Sequence, residues 1–169
     1  MSTALALSLP GLMAWAAWRD LVAMTIPNWI SVAIFAAFFP TALWFGLPPA
    51  DIGGHALAAV CVLILGFGLF AAGWTGGGDA KILASSAVWF GFPHLMAFLS
   101  YVALCGVVLA LAVLAARRLA IWWPGFNAAD APGWMRPKGR TPYVVAIVAA
   151  AFIVFPEVQA SWLSAAEGH

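Results

Sequence analysis

Charged side chains are scarce in this sequence. Asp, Glu, Lys and Arg make up only 8 % of the 169 residues, whereas hydrophobic residues make up 65 % and the mean hydropathy is +1.01. An ordinary soluble domain carries about 25 % charged residues, so the composition excludes that class. The formal net charge of +1 argues against a nucleic-acid partner. We interpret the chain as an integral membrane protein with a single membrane-embedded domain over residues 1–169.

Cysteine and histidine are also rare. Cys61 and Cys105 both fall inside apolar runs, where a free cysteine behaves as a small hydrophobic residue. The three histidines, His55, His94 and His169, are too dispersed to form a ligand set. We therefore predict neither a metal ion nor another cofactor.

Long apolar runs dominate what remains. A helix that spans a bilayer needs about 20 mostly apolar residues, and these runs are apolar on all sides, unlike the alternating strands of a β-barrel. No Lys or Arg precedes the first run, so it lacks the basic region of a cleavable signal peptide and we expect it to be retained. The sequence predicts an all-α fold, a bundle of six transmembrane helices. The predicted spans are residues 3–17, 28–45, 55–72, 80–90, 93–116 and 142–160.

The cations fall on one side of this six-span arrangement. They are Arg19, Lys81, Arg117, Arg118, Arg136, Lys138 and Arg140. The positive-inside rule assigns that side to the cytoplasm and places both termini in the periplasm. The longest connection, residues 117–141, mixes cations with Trp, Pro and Gly, which is typical of a segment on the membrane surface. The same connection could also gate access to the neighbouring residues.

Two aspartates are predicted to meet at the cytoplasmic face. Asp20 follows the first apolar run and Asp79 precedes the fourth. A helix from Asp79 to Phe92 is only about 21 Å long, at about 1.5 Å per residue, against a hydrocarbon core of about 30 Å. Either the short helix stops before the outer surface, or its cytoplasmic end is sunk and Asp79 is recessed below the membrane surface. An ionisable group at such a depth is costly and indicates a functional site.

Three glycines precede Asp79. Gly76, Gly77 and Gly78 allow a positive φ and a close approach of another main chain, so we expect an irregular turn that can receive a peptide. The alternative is a plain interhelical turn in which Asp79 caps the following helix. The spacing does not fit a phosphate-binding loop, which requires Gly-x-x-x-x-Gly-Lys-Ser/Thr.

Other polar residues near the aspartates have structural explanations as well. Lys81 is either a cation of the cytoplasmic face or a contact for Asp79 and the substrate backbone. Asn28, after Pro27, is a candidate cap for the second helix. Tyr143, after Pro142, either lines the site or lies at the membrane interface, where Tyr is enriched.

Three segments resemble those of one enzyme family. "GGGDAK", residues 76–81, resembles the GxGD signature of intramembrane aspartyl proteases, and "RDLVAMTIPNW", residues 19–29, resembles the segment with the first aspartate in type IV prepilin peptidases. "TPYVVAI", residues 141–147, resembles the Pro-Tyr segment that opens the last helix in the short Tad/Flp-pilus branch of that family. The GxGD signature alone is weakly specific, but the three segments recur in the family's order.

The resemblance implies a bacterial inner-membrane endopeptidase that removes the basic leader of prepilins and pseudopilins on the cytoplasmic side. Carried over by position, the catalytic aspartates are Asp20 and Asp79. The expected partners are prepilin or pseudopilin substrates, the lipid bilayer and the pilus assembly machinery. The chain lacks the cysteine-bearing region and the methyltransferase domain of the long prepilin peptidases, so we expect cleavage without methylation. It also lacks a basic residue directly after Asp20, where the family often has one.

A carboxylate pair suits this reaction. Two adjacent carboxyl groups share one proton, so the ionised group can activate a water while the protonated group polarises the scissile carbonyl. Two alternatives are open at this point. One is another GxGD protease, such as an archaeal preflagellin peptidase. The other is a non-catalytic membrane subunit or small transporter in which the aspartates bind a cation or anchor helices.

Overall fold

The computed structural model describes residues 8–122, 131–136 and 139–167. The described residues form five α-helices and a short 3-10 turn, Gly133–Met135, and contain no strand. The first residues of the predicted span 3–17 and much of the 117–141 connection, with Lys138, lie outside them. The helices are α1 (Ser8–Ala23), α2 (Asn28–Trp44), α3 (Pro49–Ala71), α4 (Gly77–Ile121) and α5 (Val144–Glu167).

Helix α4 reverses direction in its middle. Gly91 has non-helical angles, φ 55° and ψ −178°. The rings of Phe90 and Phe98 stack with centroids 4.1 Å apart, although eight residues of straight helix would separate them by about 12 Å. The predicted spans 80–90 and 93–116 are therefore two arms of one helix, joined at Gly91. The described residues form five helices rather than the six predicted, because these two runs follow each other directly within α4 and meet at the non-helical residue Gly91.

The other predicted spans match helices with shifted ends. The run 28–45 corresponds to α2, and the run 142–160 to α5. Helix α3 begins six residues before the predicted 55, since Pro49 occupies its first turn, where proline is favoured. Three helices are long and apolar enough to cross a membrane, and α2 is a shorter apolar helix. The three are Pro49–Ala71, Gly77–Ala120 and Val144–Ser164.

The first arm of α4 is the centre of the bundle. Residues 84–91 are all buried, and α4 packs against α2, α3 and α5. Trp89 is fully buried, and its indole N–H donates to the carbonyl of Ile34 at 2.8 Å. This arm begins two residues before Asp79, so the packing that fixes the arm also fixes that carboxylate.

The bundle has two contrasting ends. We call the end that contains Asp20 and Asp79 the aspartate end, and the opposite end, with His55 and Trp162, the aromatic end. The cations of the described ranges lie at the aspartate end or in its loops, namely Arg19, Lys81, Arg117, Arg118, Arg136 and Arg140. This clustering agrees with the one-sided distribution that the sequence predicts.

Candidate active site

Asp20 lies in the last turn of α1. Its side chain is only 6 % exposed, and Oδ2 accepts a hydrogen bond from the backbone N–H of Val144 at 3.2 Å. Val144 is the first residue of α5, whose initial N–H groups have no partner within their own helix. Helix α1 ends just beyond, where Met24 adopts a positive φ of 50°. Asp20 thus joins the first helix to the start of the last.

Asp79 lies in the first turn of α4. The helix cap is Gly76, and the Asp79 carboxylate accepts a hydrogen bond from the Gly76 N–H. This is the acidic half of a capping box, three residues after the cap. Asp79 therefore lies inside the helix instead of at the capping position that the alternative reading of the turn assumed. The positive end of the helix dipole favours its ionised form.

The two aspartates line one cavity of about 330 Å³, although 59 residues of sequence separate them. Arg140 lines the same cavity. Burial, and secondarily the charge of Asp79, raise the pKa of Asp20 to about 6, against weaker opposition from the Val144 N–H and Arg140. Asp20 lies beyond the apolar run 3–17, at the end of α1 that borders this cavity. The charge of Asp79 therefore acts on the carboxyl group of Asp20 across this cavity.

A second cavity lies on the other side of Asp79. It measures about 670 Å³ and extends between α3, α4 and α5. Its deeper wall is apolar and consists of Gly66, Leu69, Ala80, Leu83, Val102 and Ile147. Asp79, Arg140 and Thr141 line both cavities. Asp79 is therefore accessible from two sides.

The glycine turn differs from the expectation in one respect. The positive φ of this segment occurs at Gly73, with φ 77°, and none of the three predicted glycines has one. Close approach does hold at Gly76, where an added Cβ would overlap the Arg140 guanidinium and lie 2.7 Å from Asp79 Oδ2. An added Cβ at Gly77 would lie 3.3 Å from the Phe70 ring, and at Gly78 it would lie 3.4 Å from a methyl carbon of Ile26. The three glycines serve packing around Asp79.

Lys81 and Asn28 form a bridge between α4 and α2. The Lys81 ammonium donates to Asn28 Oδ1 at 3.0 Å, on an exposed surface. Asn28 is the first residue of α2, and Pro27 occupies the capping position. The predicted capping role of Asn28 is therefore wrong, because its side chain contacts Lys81 instead. Both residues line the smaller cavity with the aspartates.

Tyr143 and Pro142 lead into α5 beside the site. The Tyr143 ring packs on Gly106, where an added Cβ would lie 2.7 Å from the ring. Tyr143 lines the larger cavity, and Pro142 is buried behind it. Burial and the nearby charge of Asp79 raise the pKa of the Tyr143 hydroxyl, so it stays protonated at neutral pH. Tyr143 forms part of the cavity wall that faces Asp79.

Two arginines of the site were missed by sequence reasoning. Arg140 lines both cavities, and its charge acts on both aspartates. The Arg117 side chain donates to the carbonyl of Trp134 at 2.8 Å and to that of Gly139 at 2.7 Å, which fixes the segment that carries Arg140. One feature of the sequence could have indicated Arg140, since it lies two residues before Pro142. However, the cations of this segment are equally typical of contacts with a membrane surface.

Metal-ligating side chains do not cluster in the described ranges. No group of three His, Cys, Asp or Glu residues there has a spacing that could hold a metal ion. Cys61 and Cys105 are both free thiols. The chemistry available at the site comes from two carboxyl groups, a guanidinium, an ammonium and backbone amides.

The sequence was compared with known proteins. The model of the type IV leader peptidase family matches residues 7–111, which include both aspartates and the glycine turn. No curated protein and no solved structure gives a significant match. The match covers more than half of the chain and implies a peptidase. With its all-helical fold and membrane-spanning helices, the chain belongs to the type IV leader peptidase family.

Proposed function

We propose that the protein is a prepilin leader peptidase of the Tad/Flp-pilus type, an aspartyl endopeptidase. It cleaves the basic leader of prepilins and pseudopilins. The observation that carries the proposal is the shared cavity: Asp20 and Asp79 lie far apart in sequence, yet they line one small polar space at the end of an apolar bundle. The family match supports a protease of the type IV leader peptidase kind in general.

The proposed reaction is the direct attack of water on the peptide bond. One ionised carboxylate takes a proton from the water, while the protonated carboxyl donates a hydrogen bond to the scissile carbonyl and later protonates the leaving amine. The water oxygen forms a bond to the carbonyl carbon, and the C–N bond breaks as the amine is protonated. The products are a carboxylate on the leader and a free amino group on the mature pilin.

We assign the resting proton to Asp20. Asp20 is the more buried of the two aspartates, and burial raises its pKa to about 6. Burial disfavours the charged form of Asp79 as well, but in the first turn of α4 the charge of Arg140 and the N–H of Gly76 lie beside it and oppose that effect. Asp79 is then the general base, although the pair titrates as a unit.

The proposed location is the bacterial inner membrane, with the aspartate end towards the cytoplasm and both termini in the periplasm. The cations at the aspartate end support this orientation through the positive-inside rule. The two arms of α4 supply two membrane passes, so the proposed topology retains six passes in five helices.

The test is leader cleavage of a co-expressed prepilin, read as a shift in gel mobility. Wild type is compared with Asp20→Asn and Asp79→Asn at matched membrane levels. Asp51→Asn is the matched control, because Asp51 lies in the first turn of α3 at the aromatic end. Wild type and Asp51→Asn are expected to cleave, and both site variants are expected to fail. Cleavage by either site variant at the wild-type rate would contradict the two-aspartate mechanism.

A further inference from the structure

The two cavities beside Asp79 differ in chemistry. The smaller one, about 330 Å³, is lined by both aspartates and by Thr25, Asn28, Lys81 and other polar groups. The larger one, about 670 Å³, ends in an apolar wall that lies among the membrane-spanning helices. A peptide bound at Asp79 therefore has a polar surface on one side and an apolar surface on the other.

Both cavities are needed by a peptide that is cut in its interior. The scissile bond must lie within reach of the carboxylates, and the chain continues in both directions from it. Asp79, Arg140 and Thr141 border both spaces, so a chain that crosses Asp79 enters one cavity with each half. Because one cavity is polar and the other is apolar, the polar half of the peptide determines in which direction the peptide crosses Asp79.

Small side chains bring α3 and α4 close together where they border the larger cavity, next to Asp79. At Gly66, an added Cβ would lie 3.1 Å from Ala80 Cβ, so α3 and α4 are in close contact here. Leu69, one helical turn further along α3, is partly buried and borders the cavity from the side. The space that remains has an apolar wall and the dimensions of one or more large side chains.

We propose that the larger cavity binds the apolar residues that directly follow the scissile bond, with Leu69 as a specificity-determining residue, while the leader occupies the smaller, polar cavity. The proposal rests on the proposed function, since it assumes a substrate with a polar leader and an apolar mature segment. It fixes the direction in which the chain crosses Asp79. It also assigns Leu69 to the fit of the first mature side chain.

The first experiment changes the size of the cavity. Two synthetic precursors carry a basic leader and an apolar segment, and differ only in Phe or Ala at the first position after the scissile bond. Leu69→Trp is expected to lower kcat/KM for the Phe precursor by about tenfold or more relative to the Ala precursor, the usual effect of lost space in an apolar pocket. The control is Leu65→Trp, since Leu65 lies on the same helix and is 54 % exposed. It should leave the ratio unchanged.

The second experiment reads binding without cleavage. Leu69→Cys is combined with Asp20→Asn, and the two free cysteines are removed by Cys61→Ala and Cys105→Ala. Precursors carry one cysteine directly before or directly after the scissile bond. Oxidation is expected to cross-link the protein to the second precursor in preference to the first. Leu65→Cys in the same background should cross-link to neither.

The outcomes separate the two proposals. Preferential cross-linking to the leader side, equal cross-linking to both sides, or equal effects of Leu69→Trp on both precursors would overturn the cavity assignment, even if wild type cleaves. Cross-linking to the mature side supports the assignment even if wild type cleaves neither precursor, in which case the proposed function fails and the binding site stands.

Discussion

The two ends of the bundle are built in opposite ways. At the aromatic end, the ring of Phe38 lies 5.1 to 6.1 Å from those of His55, Trp89 and Trp162, and Trp162 lies 6.1 to 6.3 Å from His55 and Trp89. At the aspartate end, two cavities flank Asp79 and the helix starts are separated by polar loops. The comparison indicates that dense packing at one end holds the helices in place, while the other end keeps two cavities beside Asp79.

His55 shows how the aromatic end is held together. Its Nδ1–H donates to the carbonyl of Val88 at 2.7 Å, and its ring stacks on Phe38. The carbonyl lies within one turn of the break at Gly91, so the histidine binds a buried acceptor where the helix loses its regular geometry. The reversal of α4 and the buried histidine therefore depend on each other.

The largest expected effect is the loss of activity at the aspartate end. Asp20→Asn and Asp79→Asn are each expected to lower kcat by about a thousandfold or more, because groups that act as a unit lose most of their effect when one is removed. The double variant should then be no slower than the slower single variant. The measurement is the initial rate of precursor cleavage in detergent. Multiplicative losses would indicate that the two aspartates act independently.

Next in size is the loss of stability when the aromatic end is altered. Gly91→Ala places a Cβ 2.6 Å from His55 Nε2 on a residue with φ 55°, so we expect a loss of about 2–4 kcal/mol of unfolding free energy. His55→Ala removes the clash but also a buried hydrogen bond. The double variant should therefore be less unstable than the sum of the single variants. Unfolding in detergent micelles measures the three variants, and simple additivity would contradict the dependence.

The sequence specifies the aromatic end less well than the aspartate end. The segments around Asp20 and Asp79 identify the site because acids are rare in this chain, so each one is informative. The sequence does not identify Gly91 and His55 in this way. A glycine between two apolar runs predicts a loop, and a lone histidine is typical of a surface residue. Their roles can be predicted only from the contact between them, and that contact depends on the packing of different helices.

The sequence alone also did not predict which side chains contact one another in the site. Asn28 was expected to cap a helix, but it receives the Lys81 ammonium. Arg140 was expected at the membrane surface, but it lies against Asp79. Local preference can suggest a cap or an interfacial cation, yet tertiary contacts between segments 50 or more residues apart decide where each side chain binds.

A pH effect on stability distinguishes the aspartate end from the aromatic end. The pKa of Asp20 rises from 3.8 to about 6 on folding, so the folded state holds this proton more tightly than the unfolded state. Its contribution is fully present below pH 3.8 and is lost as the pH rises through 6. Above pH 6, the ionisation of Asp20 lowers the unfolding free energy by at most about 3 kcal/mol, and Asp20→Asn removes this loss.

Melting temperatures of wild type and Asp20→Asn in detergent, at pH 5 and pH 7.5, measure this effect. We expect the variant to gain stability relative to wild type at pH 7.5 and to lose about half of that advantage at pH 5. Asp51→Asn is the control, because Asp51 is exposed at the aromatic end. An equal difference at both pH values would show that Asp20 does not bind a proton in this range.

The smallest expected effect concerns the bridge between α2 and α4. The hydrogen bond from Lys81 to Asn28 is exposed, so each of Lys81→Ala and Asn28→Ala should cost no more than about 1 kcal/mol of unfolding free energy. A double-variant cycle should give a coupling of about 0.5 kcal/mol.

Both side chains line the smaller cavity, so the variants also test whether the bridge helps to position substrate. If it does, KM for the precursor rises while kcat is retained, because the bridge lies beside the peptide and away from the reacting atoms. A fall in kcat with unchanged KM would instead place Lys81 in the chemical step, next to Asp79.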